Sequence, residues 1–128
     1  MKTVWVNGCF DVLHRGHVEL FKFAKSHGDF LVIGIDSDKR VKNLKGPARP
    51  INNEVDRKFF LESIKFVDKV VIFNSEDELR SAISVHNPDK MIVGSDYENK
   101  KVIGSEFSKE LIFFDRIGNY STTNILER

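Results

Sequence analysis

Five short apolar runs are spaced along this chain: TVWV (Thr3–Val6), FLVIGI (Phe30–Ile35), KVVIF (Lys69–Phe73), KMIVG (Lys90–Gly94) and LIFF (Leu111–Phe114). None alternates polar with apolar residues, so each reads as a strand in a sheet covered on both faces. The intervals carry helical spacing. Val18, Phe21 and Ala24, with Leu20, predict a helix from Gly16 to about Lys25, ended by Gly28. Asn53 is placed to cap a helix to about Ile64, with Phe59, Phe60, Leu61 and Ile64 facing inward. Ser75 caps a third, carrying Leu79, Ala82 and Ile83 and stopped by Pro88. Shorter helices are expected near Ser105–Lys109 and over STTNILER, whereas DSDKRVKNLKGPARPIN reads as a long loop with at most one short turn. Strands alternating with helices predict an α/β fold: one domain over residues 1–128, with a five-stranded parallel sheet and helices on both faces. In such sheets ligands bind beyond the carboxyl ends of the strands, where strand order reverses.

Composition narrows the function. The longest apolar runs are far too short to span a bilayer, and no basic stretch with an apolar region follows Met1, so neither membrane span nor signal peptide is expected. A single cysteine excludes an internal disulfide framework and fits a reducing, cytoplasmic setting. A net charge of +1 argues against a nucleic-acid coat protein. Locally, Lys39, Arg40, Lys42, Lys45, Arg49, Arg57 and Lys58 face only Glu54 and Asp56 between positions 39 and 58. That segment suits a small anionic ligand; the plain alternative is a solvated charged face.

The stretch NGCFDVLHRGH lies where the first strand gives way to the first helix. Gly16 permits close backbone approach, and His14 and His17, three apart, project to one side of a first helical turn. A helix start offers unpaired N–H groups and the positive dipole end, which attract phosphate. Two imidazoles there can donate to phosphate oxygens as charge builds up in a transition state. Metal ligation would need more than this histidine pair, with Cys9 and Asp11 nearby. A Cys9–His14 thiol pair has no local signature behind it, and two surface histidines remain the bland reading. Neither G-x-G-x-x-G nor G-x-x-x-x-G-K-[ST] occurs here.

GCFDVLHRGH resembles the H-x-G-H loop of the nucleotidyltransferase superfamily that includes glycerol-3-phosphate cytidylyltransferase. RIGNYSTT, Arg116 to Thr123, resembles its second signature, R-x-x-x-x-S-T-[ST]. VKNLKGPARPIN, DRKFFLESIKFVDKVVIF, GSDYENKKVIGSE and YSTTNILER resemble the adenylyltransferase domain of the bacterial bifunctional heptose kinase/adenylyltransferases. That likeness covers nearly the whole chain and includes nothing of the sugar-kinase domain.

The resemblance implies a Rossmann-like nucleotidyltransferase. His14 and His17 would contact the triphosphate, Lys45 would neutralise phosphate oxygens, and Arg116 with the Ser121 and Thr122 hydroxyls would hold the β- and γ-phosphates. Gly8, Cys9, Phe10, Asp11 and Gly16 of the first loop would surround the nucleotide, joined by Arg57, Gly94 and Asp96. Asp11 would orient the loop or assist a metal; no protein cage is expected for the Mg²⁺ that accompanies the triphosphate. More ordinary roles stand beside these: a surface ion pair for Arg57, a helix cap for Ser121, an Asx turn for Asp96, a solvated Lys45. The second signature departs from the family pattern, with Gly118 one place early, Asn119 at the usual glycine position and Ile117 replacing a polar residue.

The implied reaction joins a nucleoside monophosphate, from ATP by preference, to a sugar phosphate such as heptose 1-phosphate, with release of pyrophosphate. A cytidylyltransferase making a CDP-polyol from CTP and glycerol 3-phosphate is the near alternative. A nucleotide-binding module without turnover is the distant one, disfavoured by intact His14, Gly16, His17, Arg116, Ser121 and Thr122. The expected partners are an NTP and a phosphorylated sugar or polyol, with no nucleic acid and no membrane, and the resemblance implies a homodimer.

Overall fold

A computed structural model describes residues 1–115. The helix expected over STTNILER and the second signature, Arg116–Thr123, lie outside the described residues.

The five apolar runs form strands β1 (Thr3–Gly8), β2 (Phe30–Asp36), β3 (Lys69–Phe73), β4 (Lys90–Gly94) and β5 (Glu110–Phe114). All pair in parallel, in the order β3-β2-β1-β4-β5. Strand order therefore reverses between β1 and β4, the crevice position expected for a ligand. Helices α1 (Arg15–Lys25), α2 (Asp38–Lys45), α3 (Glu54–Glu62) and α4 (Glu76–His86) connect them.

Side-chain alternation along β1 and β2 feeds two cores. Val4, Val6, Ile33 and Ile35 pack with Phe21 of α1 and Leu61 of α3 on one face. Trp5, Val32 and Met91 pack with Leu79 and Ile83 of α4 on the other. Helices thus cover both faces, as predicted. The Trp5 indole needs Gly34 beside it, where a Cβ would stand 2.5 Å from the ring. Its Nε1 donates to Asn7 Oδ1 at 3.0 Å.

Three expectations are corrected. The segment after β2 contains a real helix, α2, capped by Ser37 Oγ accepting from the Arg40 amide. Val41 is its one buried residue, so there was no apolar stripe to read; capping and charge placement, Asp38 first and Lys42 and Lys45 last, favour it instead. On α3, Phe59 and Phe60 do not face inward: they are 65% and 43% exposed. The helix turns its Arg57–Leu61 face to the protein, which carries those phenylalanines out. Near residue 105 there is only a single 3₁₀ turn, Ser105–Phe107, entered through Gly104 at φ +82°. Smaller shifts occur at helix ends. α1 stops three residues before Gly28, and Asn87, left-handed at φ 45°, ends α4 just before Pro88.

Candidate active site

β1 delivers the chain into the loop Cys9–Leu13, and His14 starts α1 as its N-cap. The His14 backbone carbonyl accepts from the His17 amide at 3.0 Å, and the His14 amide donates back to His17 Nδ1 at 3.3 Å. With Nδ1 an acceptor, a neutral His17 carries its proton on Nε2. The two imidazoles stack with centroids 3.7 Å apart and planes at 22°. Phe10 meets His17 edge-on at 5.2 Å and Phe21 at 5.1 Å, extending the pile into the core. Phe10 adopts φ 50°, and its ring lies over Gly8, where a Cβ would approach it to 3.0 Å. Local conformation therefore orients the histidines before any ligand arrives.

Beneath the loop is a buried polar lattice. Asp11 accepts from Arg49 Nε, from the Ile51 amide and from the Asn52 amide, each at 2.8 Å, while its carbonyl accepts from Asn52 Nδ2. Burial alone would raise the Asp11 carboxyl; the Asn52 and Ile51 amides and Arg49 outweigh that and hold it below the usual range. The carboxylate is committed to the 49–52 segment, so a metal ion would have to displace those donors.

Arg57 corrects the nucleotide-contact expectation. Its side chain is wholly buried, and it donates to the carbonyls of Cys9 at 2.9 Å, Asp36 at 2.7 Å and Asn52 at 3.0 Å and to Asp38 Oδ1 at 2.8 Å. Enclosed in this way it has no face for a nucleotide, nor is it a surface ion pair. It ties the ends of β1 and β2 to the 49–52 segment.

A cleft of about 350 Å³ opens at the carboxyl ends of the strands. Gly8, Cys9, Lys45 and Gly94 line it, four of the residues expected from sequence. His14, His17, Phe10, Asp11, Gly16, Arg57 and Asp96 are not in its wall. Phe10 stands between the histidines and the cleft, its ring edge-on to His17 and against Gly8, and Asp96 sits in the 3₁₀ turn Ser95–Tyr97 at the end of β4. Three cations, Arg40, Lys45 and Lys101, line the cleft against one carboxylate, Asp36. Its remaining wall is largely apolar, with Phe73, Leu79 and Val102. Sequence reasoning missed Asn7, Asp36 and Lys101, and found Arg40 only as part of a basic segment suited to a small anion. The strand-end rule pointed to Asp36, the last residue of β2; Lys101 follows no periodic signal.

Burial pushes the Cys9 thiol up, and the Lys45 and Arg57 charges offset this only in part. It stays a neutral thiol, unlike a nucleophilic cysteine. Among the described residues no group of three or more His, Cys, Asp or Glu side chains comes together as a metal cluster. Among them, too, no helix is long and apolar enough to cross a membrane.

The comparisons agree with this geometry. A cytidylyltransferase-like family model matches residues 5–128. The chain is 47% identical over 125 residues to Bifunctional protein HldE of Campylobacter fetus, covering 98% of this chain and 27% of that one. It is 46% identical to Bifunctional protein HldE of Helicobacter pylori strain Shi470, covering 99% of this chain and again 27% of the relative. The chain thus spans about a quarter of the length of these relatives. A lipopolysaccharide core biosynthesis protein from Thermoplasma volcanium superposes with a TM-score of 0.69 at 28% identity, covering 94% of this chain and 99% of that one. Pantothenate synthetase from Thermus thermophilus, 15% identical with a TM-score of 0.65, covers 98% of this chain and 61% of that one and shares the fold. With sheet order, histidine-capped helix start and a match running almost end to end all in accord, the chain belongs to the cytidylyltransferase-like family of nucleotidyltransferases.

Proposed function

We propose that this chain transfers the adenylyl group of ATP to a sugar phosphate, heptose 1-phosphate being the leading candidate, and releases pyrophosphate. The observation that carries the reading is the cleft at the β1/β4 reversal, cationic on balance, with two stacked imidazoles one aromatic ring away through Phe10. A phosphate monoester dianion fits its excess of positive charge. The likeness to HldE and to a lipopolysaccharide core biosynthesis protein supports a carbohydrate acceptor.

In this reading an acceptor phosphate oxygen attacks the α-phosphorus, a new P–O bond forms, and the bond to the pyrophosphate oxygen breaks. Lys45 steadies the attacking phosphate from the cleft wall. His17 and His14, at the start of α1, donate to the phosphate oxygens as charge grows. Arg116, Ser121 and Thr122 are assigned to the β- and γ-phosphates by resemblance to the second signature. Mg²⁺ bound with the triphosphate would supply charge neutralisation. With Asp11 committed to its own loop, the triphosphate and water would provide most ligands to that ion. The resemblance also supports a homodimer in the cytoplasm, which sedimentation and cell fractionation would test.

The experiment is a screen of four NTPs against sugar and polyol phosphates, read by pyrophosphate release. Release with ATP and heptose 1-phosphate is expected. Release only with CTP and a polyol phosphate would make this a cytidylyltransferase; tight NTP binding with no release would make it a binding module.

A further inference from the structure

Two charged side chains on the cleft wall are arranged to read hydroxyl groups. Asp36 ends β2, and its carbonyl is fixed by Arg57 at 2.7 Å. Arg40, in the first turn of α2, donates Nε to Asp36 Oδ1 at 2.7 Å and lays its guanidinium over the Phe73 ring at 5.6 Å. Both side chains are mostly shielded, at 14% and 19% exposure, and both line the cleft. Among the described residues, no other hydrogen-bonding partner takes Asp36 Oδ2 or the two terminal amino groups of Arg40. A rigid acceptor and a rigid donor fork therefore stand side by side at the cleft.

We propose that the Asp36–Arg40 pair selects the acceptor by binding two neighbouring hydroxyls, making the acceptor a phosphate that carries a vicinal diol. This rests on the cleft being the acceptor site. A hydroxyl both donates and accepts, so adjacent hydroxyls can donate to Asp36 Oδ2 and accept from the Arg40 amino groups. Lys45 and Lys101, on the same cleft, remain for the phosphate. The ion pair leaves Arg40 little net charge to spend on a second anion, and its hydrogen bond to Asp36 with the Phe73 ring beneath restrains the fork. A site built to bond hydroxyls discriminates strongly against analogues that lack them, because its own polar groups are then left unpaired.

The test is calorimetric binding of inorganic phosphate, heptose 1-phosphate and its monodeoxy analogues to wild type, Arg40→Lys and Asp36→Asn. Thermal melts confirm that each variant is folded. Wild type should bind the sugar phosphate more tightly than phosphate and lose about 10- to 100-fold with analogues lacking either of two adjacent hydroxyls, as for hydrogen bonds to charged groups. Arg40→Lys keeps the charge and should hold phosphate within about twofold of wild type while losing the fork and that discrimination. Asp36→Asn should lose it as well. Discrimination that persists in both variants, or a wild type that binds the sugar phosphate no better than phosphate, overturns the proposal. These readouts need no turnover, so absent pyrophosphate release would count against adenylyl transfer alone.

Discussion

Two arginines, Arg57 and Arg40, each bind an aspartate from the same short stretch, at 2.8 and 2.7 Å, yet they stand in different surroundings. Arg57 is sealed among four oxygens beneath the histidine loop, in a lattice with Asp11, Arg49 and Asn52 close by. Arg40 stands on the cleft with only its Nε–H engaged by a side chain, and four of its five N–H donors open among the described residues. Ion-pair length does not separate structural from ligand-facing charges here; the number of donors left over does. Changes in the buried lattice should therefore cost stability, and changes on the open face should cost turnover or selectivity.

The largest expected effect breaks the lattice. Arg57→Ala leaves three carbonyls and the Asp38 carboxylate without their donor, and should lower unfolding free energy by about 3–5 kcal/mol in urea titrations. A loss under about 1 kcal/mol would place Arg57 with ordinary surface ion pairs. On the open side, His17→Ala should reduce kcat about 10²–10³-fold in the pyrophosphate assay, as for a lost oxyanion donor. Its stability loss should stay near the ~1 kcal/mol of a missing helix cap. Near-normal turnover would remove His17 from the chemistry.

The smallest effect sharpens the contrast through pH. The folded-state pKa of Asp11 is held below its unfolded value, so its contribution is complete above the unfolded pKa, about pH 4. It is lost as pH falls through the lower folded value. Asp11→Asn should be less stable at neutral pH, and its stability should decline less steeply with acid below about pH 4 than that of wild type. Parallel pH profiles for the two proteins would show that Asp11 carries none of that linkage.

Much of the fold was legible because the strands are continuous β-branched and apolar runs, and such runs in parallel register need little else to be seen. The two histidines on either side of Gly16 were legible because the motif is local. α2 was hidden because it buries only Val41, so capping rather than periodicity announces it. The place of Arg57 was hidden because three of its partners are backbone carbonyls, two of them 21 and 48 positions away, and no side-chain pattern marks a carbonyl. Arg40 and Asp36 stood four apart in plain sight, but their pairing needed a helix that had been read as loop.

Arg57 fastens together the ends of β1 and β2 and the 49–52 segment, so one jaw of the cleft is an anvil. Another part of its wall, from Tyr97 to Ile103, is built from turns and has no such rivet among the described residues. Any change in the width of the cleft therefore falls to that second wall.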